Sequence, residues 1–164
     1  MRGAITVPLL AIVVACLSAC GSLESQHKAA ASLRAVSVQD ASVRLYTLDP
    51  RLSASPSTVN EKVFHGFAIL GASDISSENE KKILLEALAT GMQNRPSVTP
   101  SCFYPRHGLA IRSRTDHSDY VICFECHKVK VYNPRATFLI ADTPRNTFNA
   151  IATEHRLPIA GKMH

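Results

Sequence analysis

The chain has 164 residues, a formal net charge of +5, no tryptophan and only 6% aromatic residues. Its lysines and arginines are scattered, and so few aromatic side chains argue against a stacking surface for bases or sugars. The composition therefore speaks against a nucleic-acid partner, and the length suits a single domain with a modest core.

The N-terminal residues are typical of an export signal. A short basic start, Met1-Arg2, precedes an apolar stretch that is too short to span a bilayer comfortably, and small residues close it at Leu17-Ser18-Ala19-Cys20. This order resembles the signal of bacterial lipoproteins, which implies cleavage before Cys20, acylation of Cys20 and a lipid anchor in the cell envelope. Gly21, in place of Asp, resembles the pattern of lipoproteins that go on to the outer membrane.

Three segments follow from this interpretation. Residues 1–19 are predicted to be the signal peptide. Residues 20–41 are rich in Ser, Ala and Gln with few large apolar side chains, which predicts a lipidated tether with some helical tendency. Residues 42–164 are predicted to form a single α+β domain.

Two strands are predicted at the start of this domain. Val43, Leu45 and Thr47 occupy alternate positions, which is typical of a half-buried strand. Residues 62–72 predict a second strand that is apolar on both faces, with His65 interpreted as an ordinary strand histidine.

A helix is predicted next. Ser77 and Glu80 have the spacing of a capping box, and Pro96 prevents the helix from continuing past Gln93. Apolar residues recur after the cap at helical spacing: Ile83, Leu84, Ala87 and Leu88.

The segments 102–113 and 120–132 are predicted to form a hairpin around the polar turn 114–119. One register brings apolar residues together, with these opposite pairs: Ile111 and Ile122, Leu109 and Phe124, His107 and Cys126. The apolar positions then change from even to odd numbers between Glu125 and Lys128. This change predicts a β-bulge inside the second strand, which would turn Cys123 and Cys126 toward the same side.

A third strand over residues 136–141 and a second helix complete the predicted domain. Thr143 is the expected N-cap and Pro144 the first helical residue, and the helix is expected to end before Pro158. Its apolar face would contain Phe148, Ile151, Ala152 and His155. The predicted fold class is therefore α+β, a mostly antiparallel sheet with two helices.

Any chemistry would lie in the cysteine and histidine cluster. The segment Cys123-Phe124-Glu125-Cys126-His127 matches the C-x-x-C-H attachment pattern of c-type haem. Haem would need thioethers from both cysteines, His127 as axial ligand and His107 or Met163 as the second ligand. The strand-like surroundings argue against this reading, because cytochrome motifs normally lie at the start of a helix.

Zinc is a second reading of the same cluster. Cys102, Cys123 and Cys126, with either His107 or His127, would make a tetrahedral site of thiolates and imidazole. Such a site requires Cys102 to bend back toward the hairpin, because the extended chain between Cys102 and His107 would span about 16 Å.

A structural disulfide is the reading that we favour. In an exported protein, Cys102 would pair with Cys123 or Cys126, and the third thiol would be buried, metal-bound or intermolecular. Under this reading we expect no cofactor. Thiol chemistry is the remaining alternative, with one cysteine as nucleophile and Arg106 or His107 lowering its pKa. No residue can be assigned as the third member of a catalytic triad, so an enzyme is not the favoured class.

A family resemblance covers roughly residues 42–160. The segments Cys102-Phe103-Tyr104-Pro105-Arg106-His107-Gly108 and Ile122-Cys123-Phe124-Glu125-Cys126 resemble an uncharacterised family of bacterial exported and lipid-anchored proteins. The resemblance implies an envelope protein but no activity. We therefore expect a membrane-anchored lipoprotein of the bacterial envelope, with the membrane and an envelope protein as partners.

Overall fold

The computed structural model describes residues 23–52, 63–97, 99–114 and 117–161. Within them are three helices: α1 over residues 23–34, α2 over Glu78–Gln93 and α3 over Arg145–Glu154. The strands are β1 Ser42–Leu52, β2 Val63–Phe64, β3 Phe67–Ile75, β4 His107–Arg112, β5 His117–Cys123, β6 Lys128–Tyr132 and β7 Ala136–Leu139.

All seven strands form one antiparallel sheet in the order β2-β3-β1-β4-β5-β6-β7. The sheet is curled into a half-barrel, and strand exceeds helix in the structure, at 34% against 30%. The predicted fold class, an α+β domain with two helices, is therefore wrong. A single large curled sheet dominates, and three helices accompany it in the described part of the chain.

The additional helix, α1, lies in the segment predicted to be a tether. Ala30 and Leu33 on α1 are fully buried in the core. The buried Gln26 side chain donates to the carbonyls of Met92 and Leu139 and accepts from the Leu139 amide at 3.2 Å. Most of the apolar residues of α1 are small, so its sequence has few large apolar positions. A polar side chain, Gln26, supplies much of its attachment, and hydrophobic patterning does not detect such a contact.

One face of the sheet, here called the helix-covered face, packs against all three helices. Its buried strand residues include Val43, Leu45, Leu109, Ile111, Tyr120, Ile122, Val129 and Val131. The helices contribute Ala30, Leu33, Leu84, Leu88, Phe148 and Ile151 to the same cluster. Each large apolar side chain removed from water contributes about 1.5–3 kcal/mol, so this cluster is the main source of stability.

Helices α2 and α3 begin and end where local chemistry dictates. Ser77 caps α2 by accepting from the Glu80 amide at 3.3 Å, and α2 ends at Gln93 before Pro96, which confirms both predicted bounds. Ile83, placed on the apolar face of α2 by its spacing, is instead 41% exposed. Helix α3 begins at Arg145, and Pro144 at its N-cap makes no side-chain capping bond. The predicted start at Pro144, with Thr143 as cap, is one residue early.

The other face of the sheet, called the opposite face, has a smaller cluster formed by Leu48, Phe64, Phe67, Ala110 and Val121. The segment predicted as one strand over 62–72 is a hairpin of β2 and β3. His65 and Gly66 form its turn with φ values of 51° and 89°, both in the left-handed region that suits a two-residue hairpin turn.

The β4–β5 hairpin exists, but its predicted register is wrong. His107 lies opposite Ile122, and Leu109 lies opposite Tyr120, which is four residues from the predicted pairing. An even shift keeps every side chain on its predicted face. The predicted bulge is also wrong, because residues 124–127 form the turn between β5 and β6, with His127 left-handed at φ 52°. The change in apolar parity therefore marks a chain reversal.

Candidate functional site

A disulfide bond joins Cys102 to Cys126, with the Cα atoms 5.6 Å apart. Cys102 lies in the loop between α2 and β4, and Cys126 lies in the turn between β5 and β6. The Lys128 ammonium also holds this loop, donating to the carbonyls of Pro100 at 2.6 Å and Cys102 at 3.3 Å. The predicted disulfide is present, and Cys102 bends back to reach the hairpin.

Cys123 is the remaining thiol of the described residues, and only 1% of it is exposed. Its sulfur accepts from the Cys126 amide at 3.2 Å and from the Tyr104 amide at 3.3 Å. Burial raises the pKa of the Cys123 thiol, although these two amides partly oppose the shift. The group is therefore a protonated, covered thiol at neutral pH, which is the opposite of an activated nucleophile.

Arg106 lies next to this cluster but has little effect on the thiol. Its guanidinium pairs with the Glu125 carboxylate at 2.8 Å and donates to the carbonyls of Ala160 at 3.1 Å and Gly161 at 2.9 Å. Its influence on the Cys123 pKa is the weakest of the causes at work there. In place of the predicted thiol-activating role, Arg106 fastens residues 160–161 to the turn after β5.

His107 is the most unusual titratable group of the cluster. It is 2% exposed and lies edge-on to two rings, with ring centroids 5.5 Å from Phe124 and 5.8 Å from Phe148. Neither of its ring nitrogens has a hydrogen-bond partner among the described residues. Burial lowers the pKa of His107 to about 4, and the nearby Asn149 amide only partly offsets this. The imidazole is therefore neutral at pH 7, with one ring nitrogen protonated and the other an acceptor.

His127 does not join His107. It lies in the turn, where its Nδ1 is 3.2 Å from the Ile140 carbonyl and its own carbonyl accepts from the Ile140 amide at 3.1 Å. These contacts attach the turn to the chain after β7. His127 therefore acts as a structural link between two neighbouring segments.

A small cavity lies beside His107. It has a volume of about 130 Å³. Arg106, Glu125, Arg145, Asn149 and Ile159 are among the residues that line it. Asn149 Oδ1 is also buried without a hydrogen-bond partner in the described part of the chain. The side chains of His107 and Asn149 thus line the same small cavity, and both have polar atoms without a hydrogen-bond partner among the described residues.

The disulfide decides what the cysteine cluster can do chemically. It consumes two of the three thiolates that the zinc reading needs, and it consumes Cys126, which the haem reading needs for a thioether. Among the described residues, no group of three or more His, Cys, Asp and Glu side chains is placed to hold a metal ion. The cysteine cluster therefore consists of a disulfide cross-link between Cys102 and Cys126 and the buried thiol of Cys123.

Arg145 and Asn149 were missed by sequence reasoning. Both lie on α3, whose apolar face was predicted, but a polar residue on the flank of an amphipathic helix is ordinarily assigned to solvent. The one available signal was spacing, because residues 145 and 149 lie one turn apart on the same side of the helix.

Two predicted residues lie outside the described residues, namely the lipidation candidate Cys20 and the haem-ligand candidate Met163. Within the residues that the structure does describe, no helix has the length and hydropathy needed to cross a membrane.

Comparison with known proteins finds no matching family model, no matching curated protein and no matching solved structure. The family resemblance therefore stays a prediction.

Proposed function

We propose that the protein is a lipoprotein of the bacterial cell envelope, attached to the outer membrane through Cys20, with a structural and non-enzymatic cysteine cluster. The observation that carries this proposal is the disulfide between Cys102 and Cys126. Disulfides persist in exported proteins and are rare in the cytosol, where thiols are kept reduced. The same compartment is indicated by Leu17-Ser18-Ala19-Cys20 at the start of the chain.

The position of α1 supports a short attachment. Helix α1 begins at residue 23, three residues after Cys20. A chain spans at most about 3.6 Å per residue, so an acylated Cys20 would lie within about 11 Å of the folded domain. The domain would then rest at the membrane surface, where a neighbouring envelope protein is the expected partner.

The surroundings of Cys123 support a structural role. A nucleophilic thiol needs access and a lowered pKa, whereas Cys123 is buried and its pKa is raised. The nearby cation, Arg106, is neutralised by Glu125 and bound to two carbonyls. Neither requirement for thiol catalysis is met.

Counting thiols tests the cluster. In denaturant without reductant, the mature protein should expose one reactive thiol, that of Cys123, and reduction should release Cys102 and Cys126 as well. The matched control is Cys123→Ser, which should show no thiol before reduction. Three reactive thiols in the unreduced wild-type protein would contradict a structural disulfide.

Membrane fractionation tests the anchor. Cys20→Ser should move the full-length protein from the membrane fraction to the soluble fraction, because the acylated side chain is lost. The control, Cys16→Ser, changes a cysteine of the same apolar stretch and should leave the protein in the membrane fraction. Retention of Cys20→Ser in membranes would overturn the lipoprotein proposal.

A further inference from the structure

The cavity beside His107 has features that the lipoprotein proposal does not use. His107 is buried in its wall, and the half-buried Asn149 has its Oδ1 buried there; these two side chains have three polar atoms without partners among the described residues. Leaving a buried polar group unpaired is destabilising, so such groups normally meet a partner. A volume of about 130 Å³ leaves room for about four water molecules or one small organic molecule.

The charge of the wall favours an anion. Glu125 is the one carboxylate among the described residues that line the cavity, and it is paired with Arg106 at 2.8 Å. The second cation, Arg145, is 3.8 Å from Asp142, whose side chain is 56% exposed and therefore screened by water. Among the described lining residues, Arg145 thus gives the cavity an excess positive charge, and its guanidinium can donate to an anion.

The polar atoms of His107 and Asn149 that have no partner restrict the kind of ligand further. Asn149 Oδ1 is an acceptor, and the neutral His107 ring offers one acceptor and one donor. A simple inorganic anion such as sulfate brings acceptors only and would leave both wall acceptors unpaired. A ligand that also carries a hydroxyl group can donate to one of these two acceptors and accept from the His107 N–H, so it pairs two of the three polar atoms. Phe124 and Ile159 provide apolar contact for a short carbon chain.

We propose that this cavity is a binding site for a small hydroxycarboxylate, with the carboxylate on Arg145 and the hydroxyl group between His107 and Asn149. The proposal does not depend on the lipid anchor or on the redox state of the cysteines. It assigns a ligand-binding role to a domain whose cysteine cluster is structural.

Lactate is the probe, and propionate and propane-1,2-diol are its matched controls, since each lacks one of the two groups. In the mature protein, millimolar lactate should shift the ¹⁵N signals of the His107 ring. Each control should bind at least about tenfold more weakly, because one set of polar contacts is missing. Equal binding of all three, or no shift of the His107 signals with lactate, would mean that the cavity holds only water and would overturn the proposal.

Variants locate the site. Arg145→Gln should weaken lactate binding about ten- to a hundredfold, because a charge-assisted contact is lost. Arg44→Gln, which changes an exposed arginine paired with Asp74, should leave binding unchanged. Arg145 is 30% exposed, so its replacement leaves the core intact and circular dichroism can verify the fold. Equal lactate affinities in the two variants would also overturn the proposal.

Discussion

The two faces of the sheet bury polar groups in different ways. Among the described residues, the cluster between the helix-covered face and the helices has 22 buried apolar residues, whereas the cluster on the opposite face has five. Each face includes one histidine against aromatic rings. His107 on the helix-covered face has no hydrogen-bond partner among the described residues. His65, by the opposite face, bonds Asp119 at 2.8 Å and stacks on Tyr132 with centroids 3.7 Å apart.

This difference shows how each face of the sheet accommodates a histidine side chain. The opposite face lies within reach of polar strand residues such as Asp119, so a histidine there is satisfied locally. The helix-covered face is closed by α1, α2 and α3, so a histidine there must either remain neutral or find a partner inside the cavity. An unpaired buried group is retained at a cost in stability, which is why we assign it a ligand.

The largest expected effect is a pH dependence of stability that originates from His107. The pKa of His107 falls from 6.5 in the unfolded chain to about 4 in the folded protein. Between these values the unfolded state binds more protons, so the free energy of unfolding decreases as the pH falls from 7 to 4. At pH 4 the loss from this one group is about 3 kcal/mol.

Urea unfolding at pH 7, 6, 5 and 4 measures this effect. His107→Leu should remove the loss of about 3 kcal/mol, because leucine does not titrate. Leu109→Val, in the same buried strand, is the control and should retain the wild-type pH dependence. If the free energy of unfolding of His107→Leu decreases between pH 7 and pH 4 by as much as that of the wild type, His107 is not a buried neutral base. The two faces would then not differ in how they accommodate a histidine.

A smaller effect is expected from Gln26, which attaches α1 to the helix-covered face. Gln26→Leu should lower the free energy of unfolding by about 2 kcal/mol, since the backbone groups of Met92 and Leu139 lose their partner. Gln39→Leu makes the same chemical change at an exposed contact with Glu78 and should cost less than about 0.5 kcal/mol. If thermal or urea unfolding shows the same loss of unfolding free energy in both variants, the Gln26 contacts do not hold α1 to the sheet. Helix α1 would then be a loosely attached tether.

The smallest effect is expected by the opposite face. His65→Asn should lower the free energy of unfolding by about 1 kcal/mol, because the bond to Asp119 and the stacking on Tyr132 are lost. Asparagine tolerates the left-handed backbone of this turn, so the change tests the side chain alone. His117→Asn, at an exposed strand end, is the control and should be neutral. If His65→Asn lowers the free energy of unfolding by as much as Gln26→Leu does, polar contacts contribute equally to stability on the two faces of the sheet, which would contradict the comparison.

The face of the sheet on which a strand residue lies was easier to predict than the residue opposite it on the neighbouring strand. The alternation of Leu109, Ile111 and Ile122 assigned β4 and β5 to the correct faces, because side-chain direction depends only on parity. The register failed because His117, Ser118 and Asp119 were interpreted as a polar turn. Ser118 and Asp119 are strand residues whose side chains find polar partners across the sheet and in the next turn. Hydropathy cannot distinguish a solvated side chain from one that is satisfied locally.

Turns were missed for a related reason. Residues 124–127 contain no Gly, Asn or Pro, the residues by which such turns are normally recognised, and His127 itself adopts the left-handed conformation. A disulfide could be predicted as a class of bond because the N-terminal residues resemble an export signal. Its connectivity could not, because it depends on that unrecognised turn placing Cys126 within reach of Cys102.

The turn at residues 124–127 also affects how the chain is oxidised. Cys123 and Cys126 are three residues apart, whereas Cys102 is 24 residues from Cys126. In an unfolded chain the short loop closes more easily, by about 2 kcal/mol of loop entropy, so the wrong pair meets first. In the folded protein Cys123 is buried, protonated and bonded to two amides, and it cannot exchange with the native bond. Oxidation before folding would therefore favour the non-native pair, and thiol–disulfide exchange in the unfolded chain would have to break it before the native bond could form.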